Sequence, residues 1–190
     1  MAFIVDGGGD VVSFAEYTDL VQTDQRLLEE NEFKIPAESG FADITEFLED
    51  LLEKGTARIL LKLKASSWWL NYNGYVNNYV TDINNLPNVN ANLIDPANKL
   101  GRRPQFTQLC VYYTLKEFIL PLIANFNEDS TELAKITYYD SKFNDLFQEL
   151  TSLADWYDYD NSGTVDADEK LTTFFRTRRT RRRASIVKVR

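Results

Sequence analysis

The sequence predicts a mainly α protein: a three-to-four-helix bundle, interrupted by a long irregular excursion and followed by an acidic loop and an extended C-terminal arm. Three observations carry that expectation. Three long segments repeat apolar residues at helical spacing. A stretch crowded with asparagine separates the first of these from the second. The segment 170–190 holds nine basic side chains and no acidic one.

The elements follow in order. Residues 1–12 are apolar around Gly7-Gly8-Gly9 and read as a flexible lead-in. Ser13 and Glu16 have the spacing of a capping box, with Ser13 as the cap of a short helix. Pro36 and Gly40 punctuate the linker that follows. Asp43 then caps the first long helix, near 43–68, whose stripe is Ile44, Phe47, Leu48, Leu51, Leu52, Ile59, Leu60 and Leu63. Its acids (Asp43, Glu46, Glu49, Asp50) lie early and its bases (Arg58, Lys62, Lys64) late, as the helix dipole favours. Trp68 and Trp69 close it; side by side they cannot both face one core, so one serves a partner surface or packs against the next loop.

Residues 71–103 carry ten asparagines interleaved with Tyr75, Tyr79, Val76 and Val80, and are broken by Pro87 and Pro96. A loop of that length is unusual in a compact domain and is often functional. Pro104 suits the first turn of a second helix, near 104–124. Phe106, Leu109, Cys110, Leu115, Ile119 and their neighbours make it apolar nearly all round, the mark of a central helix. Pro121 should bend or end it. Ser130 or Thr131 caps a third helix, near 131–156, with the stripe Leu133, Ile136, Tyr139, Phe143, Leu146, Phe147, Leu150 and Leu153. The expected organisation is an N-terminal segment with a short helix over 1–42, a helical body over 43–157, a loop over 158–169 and an arm over 170–190.

Asp158 to Glu169 fit the twelve-residue calcium loop of an EF-hand at every ligand position. Calcium takes about six to eight oxygens. Asp158, Asp160 and Ser162 offer side-chain oxygens at positions 1, 3 and 5. Thr164 offers a backbone carbonyl at 7, and Asp166 at 9 binds through a water. Glu169 at 12 can give both carboxylate oxygens. Gly163 at 6 supplies the turn that wraps the chain about the ion. The bland alternative is an acidic turn that merely ends a helix. The outgoing segment, Lys170 to Phe175, suits an extended strand at least as well as a helix. The sequence has no second loop of this kind, so an EF-hand-like corner that fixes the chain fits better than a sensor that opens.

Composition excludes more than it suggests. The chain is 190 residues long, 44% hydrophobic and 13% aromatic, enough for one core. It has no run of 18 apolar residues and hence no membrane-spanning helix, and no signal peptide is expected at its N-terminus. It lacks histidine entirely, which removes the commonest general base and transition-metal ligand. The single cysteine, Cys110, reads as a buried small hydrophobe. No nucleophile–base set, phosphate loop or zinc spacing is present, so no catalytic residue is assigned and no enzyme is expected.

Charge is uneven. The 169 residues before the arm hold 12 basic and 29 acidic side chains, a net of −17, and the arm's +9 brings the chain to −8. Within the arm, Arg176, Arg178, Arg179, Arg181, Arg182 and Arg183 are spaced by threonines. Such a cluster binds phosphates or docks on an acidic protein surface, a neighbouring copy included. Ile186, Val187 and Val189 follow in a β-branched segment that reads as a strand offered to another chain.

Three stretches together resemble the head–tail connector, or adaptor, proteins of tailed bacteriophages. They are ITEFLEDLLEKGTARILLKLKASSWW, QFTQLCVYYTLKEFILPLI, and YYDSKFNDLFQELTSLADWYDYDNSGTVDADEK leading into the arm. The resemblance covers roughly residues 14–190 in pattern and order. It implies a structural virion protein at the neck, made in the host cytoplasm. Such proteins form a ring of neighbouring copies, generally twelvefold, between the portal protein and the next neck or tail ring. DNA passes non-specifically through the middle, and the C-terminal arm reaches to the portal. The excursion at 71–103 departs from the compact core of that family. Two rival functions stand beside this one: a nucleic-acid-binding module using the arginines, and a small calcium-binding protein.

Overall fold

The structure is a computed structural model, and it describes residues 4–5, 11–24, 35–36, 39–66, 102–124, 131–153 and 155–157. The expected excursion, calcium loop and arm lie outside these. The chain divides into two compact units, one of residues 1–62 with 102–148 and the other of 63–101 with 149–190. The described residues are mainly α, as the apolar stripes predict.

The lead-in is not irregular throughout. Strand β1 (Ile4–Val5) pairs antiparallel with β2 (Val11–Ser13), Ile4 opposite Ser13 and Val5 opposite Val11, with an irregularity between the two pairs. The β-branched residues on either side of the glycines were the overlooked hairpin signal. Helix α1 (Tyr17–Thr23) also begins later than expected. Its cap is Glu16, whose N–H donates to Asp19 Oδ2 at 3.0 Å. Ser13 does not cap it. The Ser13 hydroxyl donates to the Ala15 carbonyl (2.8 Å) and accepts from the Ala15 N–H (3.3 Å), a local turn that spends its hydrogen bonds two residues away.

Helix α2 (Ile44–Ala65) starts as read: the Asp43 carboxylate accepts from the Thr45 N–H at 3.2 Å. It stops earlier than 68, because the Ser66 hydroxyl and N–H both turn back onto the Leu63 carbonyl. Helix α3 (Arg103–Thr114) continues into a π-helical turn, Leu115–Ile119, and then a last α turn, α4 (Leu120–Ile123). Leu120 N–H bonds five residues back to Leu115 O. The wide turn directly precedes Pro121, which has no N–H to continue the regular ladder. The chain leaves the helix after Ile123, so Pro121 ends it as expected. Helix α5 (Thr131–Leu153) stops short of Trp156.

The core of the first unit is built on α3, the π turn that continues it and α4. Phe106, Leu109, Cys110, Leu115 and Leu120 are all fully buried. Phe14, also fully buried, is held from two sides: its N–H donates to Thr56 Oγ1 of α2 (3.1 Å), and its carbonyl accepts from Thr107 Oγ1 of α3 (2.8 Å). Its ring meets Phe106 at 5.3 Å. The N-terminal segment is thus bonded into the helices rather than laid over them. Helices α2 and α3 are in close contact at Gly55, where a Cβ would sit 2.5 Å from Thr114 Oγ1. Cys110 Sγ lies there too, 3.4 Å from the Leu52 carbonyl it donates to and 3.3 Å from Thr56 Oγ1. Helix α5 contributes a narrower stripe than the sequence implies. Tyr139 and Phe143 are buried, whereas Leu133 is exposed.

Less of the second unit is described. Leu63, Leu150 and Trp156 are fully buried in the chain and Tyr157 nearly so. The Trp156 and Tyr157 rings meet edge-on at 5.6 Å.

Candidate functional site

The six expected calcium ligands, Asp158, Asp160, Ser162, Thr164, Asp166 and Glu169, lie outside the described residues, and so do all the arm residues from Arg178 to Val189. What is described is the stem that leads to the loop. Trp156 and Tyr157, immediately before Asp158, are buried, so the chain reaches the first ligand position from a packed anchor. The donor set is all oxygen and mostly anionic, which suits calcium and not a soft metal. Among the described residues no cluster of acidic or cysteine side chains could hold a metal ion, and no helix is long and apolar enough to cross a membrane.

Two charged clusters that sequence reasoning missed lie in the first unit. Asp24, buried at the C-terminal end of α1, accepts from Lys135 Nζ (3.0 and 3.3 Å) and from the Tyr139 hydroxyl (3.3 Å). Burial, reinforced by the Asp24 charge, pushes the Tyr139 phenol well above its ordinary value. The signal was present: Lys135 and Tyr139 are four apart on one face of α5. In the second cluster the Lys116 ammonium is nearly buried. It bonds to Asp140, and lies 4.6 Å from the Phe143 ring centre and 5.4 Å from that of Tyr113. The Asp140 carboxyl is held below its usual range, first by the Lys116 hydrogen bond. A lysine within an otherwise apolar helix was the clue here.

Neither cluster has the makings of catalysis, since each cation is already engaged by a carboxylate. Cys110 is not a nucleophile either: it is fully buried, and burial pushes its thiol up to about 11 against the weaker opposing pull of the Thr56 hydroxyl.

One open groove of about 210 Å³ runs between α1 and α3, lined by Asp19, Gln22, Thr23, Gln108, Val111 and Tyr112. Asp19 is only 8% exposed, and among the described residues no cation pairs with it. Compared with family models, with curated proteins and with solved structures, the chain matches none.

Proposed function

We propose that the chain is a structural virion protein, a head–tail connector (adaptor) subunit that forms a ring between the portal and the neck or tail of a tailed phage. The observation that carries this reading is the order of parts: three long helices, then a buried Trp156–Tyr157 stem at the threshold of the acidic loop, then a basic arm. On this reading the protein works by shape and contact rather than by catalysis. The helical body forms the ring wall, calcium at Asp158, Asp160, Ser162, Thr164, Asp166 and Glu169 fixes a corner, and the arm engages the portal or a neighbouring subunit. DNA in the channel is held by nothing more specific than charge.

The test is assembly. The purified protein is sized in solution with and without portal rings, and the particles are imaged. Closed rings that stack on portal support the adaptor. One observation favours a second reading: six of the eight residues 176–183 are arginine, a natural match for phosphates. A monomer whose DNA affinity falls steeply with salt would replace the adaptor by a nucleic-acid-binding module. A monomer in which calcium exposes a large apolar surface would replace it by a calcium sensor.

A further inference from the structure

The groove between α1 and α3 holds an unbalanced charge. Asp19 lines it, nine-tenths buried, with one carboxylate oxygen accepting from the Glu16 N–H. No lysine or arginine reaches that carboxylate among the described residues. Among the described residues the other buried charges, Asp24 and Lys116, each have an oppositely charged partner. Tyr112 also lines the groove, and its ring stacks on Tyr139 at 5.8 Å. Gln22 and Gln108 form exposed amide walls.

These groups suit one chemistry. A carboxylate takes a guanidinium through paired hydrogen bonds. An aromatic wall packs against its flat face, and amide oxygens accept the N–H groups that remain. A volume of about 210 Å³ is room enough for one long side chain. Phosphates and carboxylates are repelled by Asp19. The chain itself supplies the complement, in a segment with nine basic residues and no acidic one, six of them arginines between 176 and 183.

We propose that the groove receives an arginine side chain from segment 170–190 of a second copy of the chain. The preceding 169 residues carry a net −17, so two bodies repel one another, and the +9 segment is the complement that each copy offers its neighbour. The supply of neighbours rests on the ring reading above; the chemistry of the groove does not.

Two measurements test this. The first uses the full-length chain with all seven arginines of segment 170–190 replaced by Gln, so that its own segment has no arginine left to enter the groove. A labelled synthetic peptide of residues 170–190 is titrated against it by fluorescence anisotropy. Asp19→Asn removes the charge but keeps an oxygen for the Glu16 N–H, so α1 keeps its cap. Gln108→Arg places a competing cation on the exposed wall without touching the cap. Either change should weaken the peptide at least tenfold. Equal affinity in all three proteins overturns the groove, because the binding is then diffuse charge attraction.

The second measurement mixes the Asp19→Asn chain, which keeps its arginines, with the seven-glutamine chain, which keeps its groove. Each alone should lose self-association, and the mixture should recover one-to-one pairs by light scattering. If the Asp19→Asn and Gln108→Arg chains form rings at wild-type concentration, the groove is overturned and the ring reading stands. If the wild-type chain stays monomeric while the groove still binds the peptide, the ring reading falls, and the neighbour as the source falls with it.

Discussion

At the scale of single residues, Gly55 is the position where the structure most constrains the sequence. In a helix interior alanine is favoured over glycine by about 1 kcal/mol, so propensity alone says Gly55→Ala should stabilise α2. The missing Cβ faces Thr114 Oγ1 at 2.5 Å, closer than atoms tolerate. The neighbour is a side chain fully buried in the core, so the two helices must part. Overpacking of this kind costs about 1–3 kcal/mol, and the expected outcome is a net loss in urea unfolding. Thr114→Ala in the same chain should return most of that loss, which a double-mutant cycle measures directly. The Lys116–Asp140 pair has its own asymmetry. Asp140 is half exposed and Lys116 only 7%. Removing the lysine leaves a carboxylate that water can solvate, so Lys116→Met should cost under about 1 kcal/mol at neutral pH. Asp140→Ala leaves the buried ammonium with only the longer contact to the exposed Glu117, at 3.5 Å, and should cost more, about 1–3 kcal/mol. The pH dependence follows from the depressed Asp140 carboxyl. The ionised form favours the fold, so the contribution is present above the unfolded value near pH 4 and is lost as pH falls through the folded one. Solvent screening keeps it small. Stability measured from pH 5 down to pH 2 should therefore fall less steeply in Lys116→Met than in the wild type.

At the scale of elements, the helices were legible because each buries a stripe, and a stripe survives in sequence as a period. Phe47, Leu48, Leu51, Leu52, Ile59 and Leu63 all lie inside as spaced. The central role of α3 was legible from apolar residues on every face, and the expected consequence is sharp. Leu115 is fully buried and Ile119 almost so. Leu115→Asp or Ile119→Asp would bury an unpaired charge and should remove cooperative unfolding altogether, as read by thermal circular dichroism. A folded Leu115→Asp protein with an unchanged melting temperature would refute the central placement. What the sequence hid is equally physical. The π turn at 115–119 is a backbone response to Pro121, and no side-chain period encodes it. The hairpin of β1 and β2 is five residues in all, too short for alternation to register. Ser13 and Glu16 matched a capping box that the chain builds three residues later, because burial of Phe14 and Ala15 takes the backbone first. Leu133 broke its stripe because helix ends extend beyond what they pack on. The Asp24 cluster joins residues more than a hundred positions apart, a distance that local pattern cannot span.

At the scale of the whole molecule, the chain is an acidic body with a basic tail, and the acidic loop lies at the junction of the two. If calcium holds that corner, Glu169→Gln should weaken binding at least tenfold in calorimetry, since Glu169 gives two of the oxygens about the ion. No uptake at millimolar calcium, by the free subunit or by the assembly, would remove the metal from the account. The arm makes the larger prediction. Every described helix ends before residue 154, and Trp156 and Tyr157 follow as a buried pair. On the reading of residues 184–190 as a segment offered to another chain, deleting them should leave the helical circular dichroism and the melting temperature of the body unchanged. The deletion removes Ile186, Val187 and Val189, the residues read as a strand for a partner sheet, but spares all six arginines from 176 to 183. Backbone pairing and charge attraction are thereby separated in one protein. A strand added to a partner contributes through its main-chain hydrogen bonds and its alternating apolar side chains, whereas the arginines attract any acidic surface within a screening length of about 8 Å. The truncated subunit should retain salt-sensitive association with polyanions and lose attachment to DNA-filled capsids. Truncated subunits that join capsids at the wild-type level would show that the arginines alone dock the protein, and the strand would then have no part in attachment.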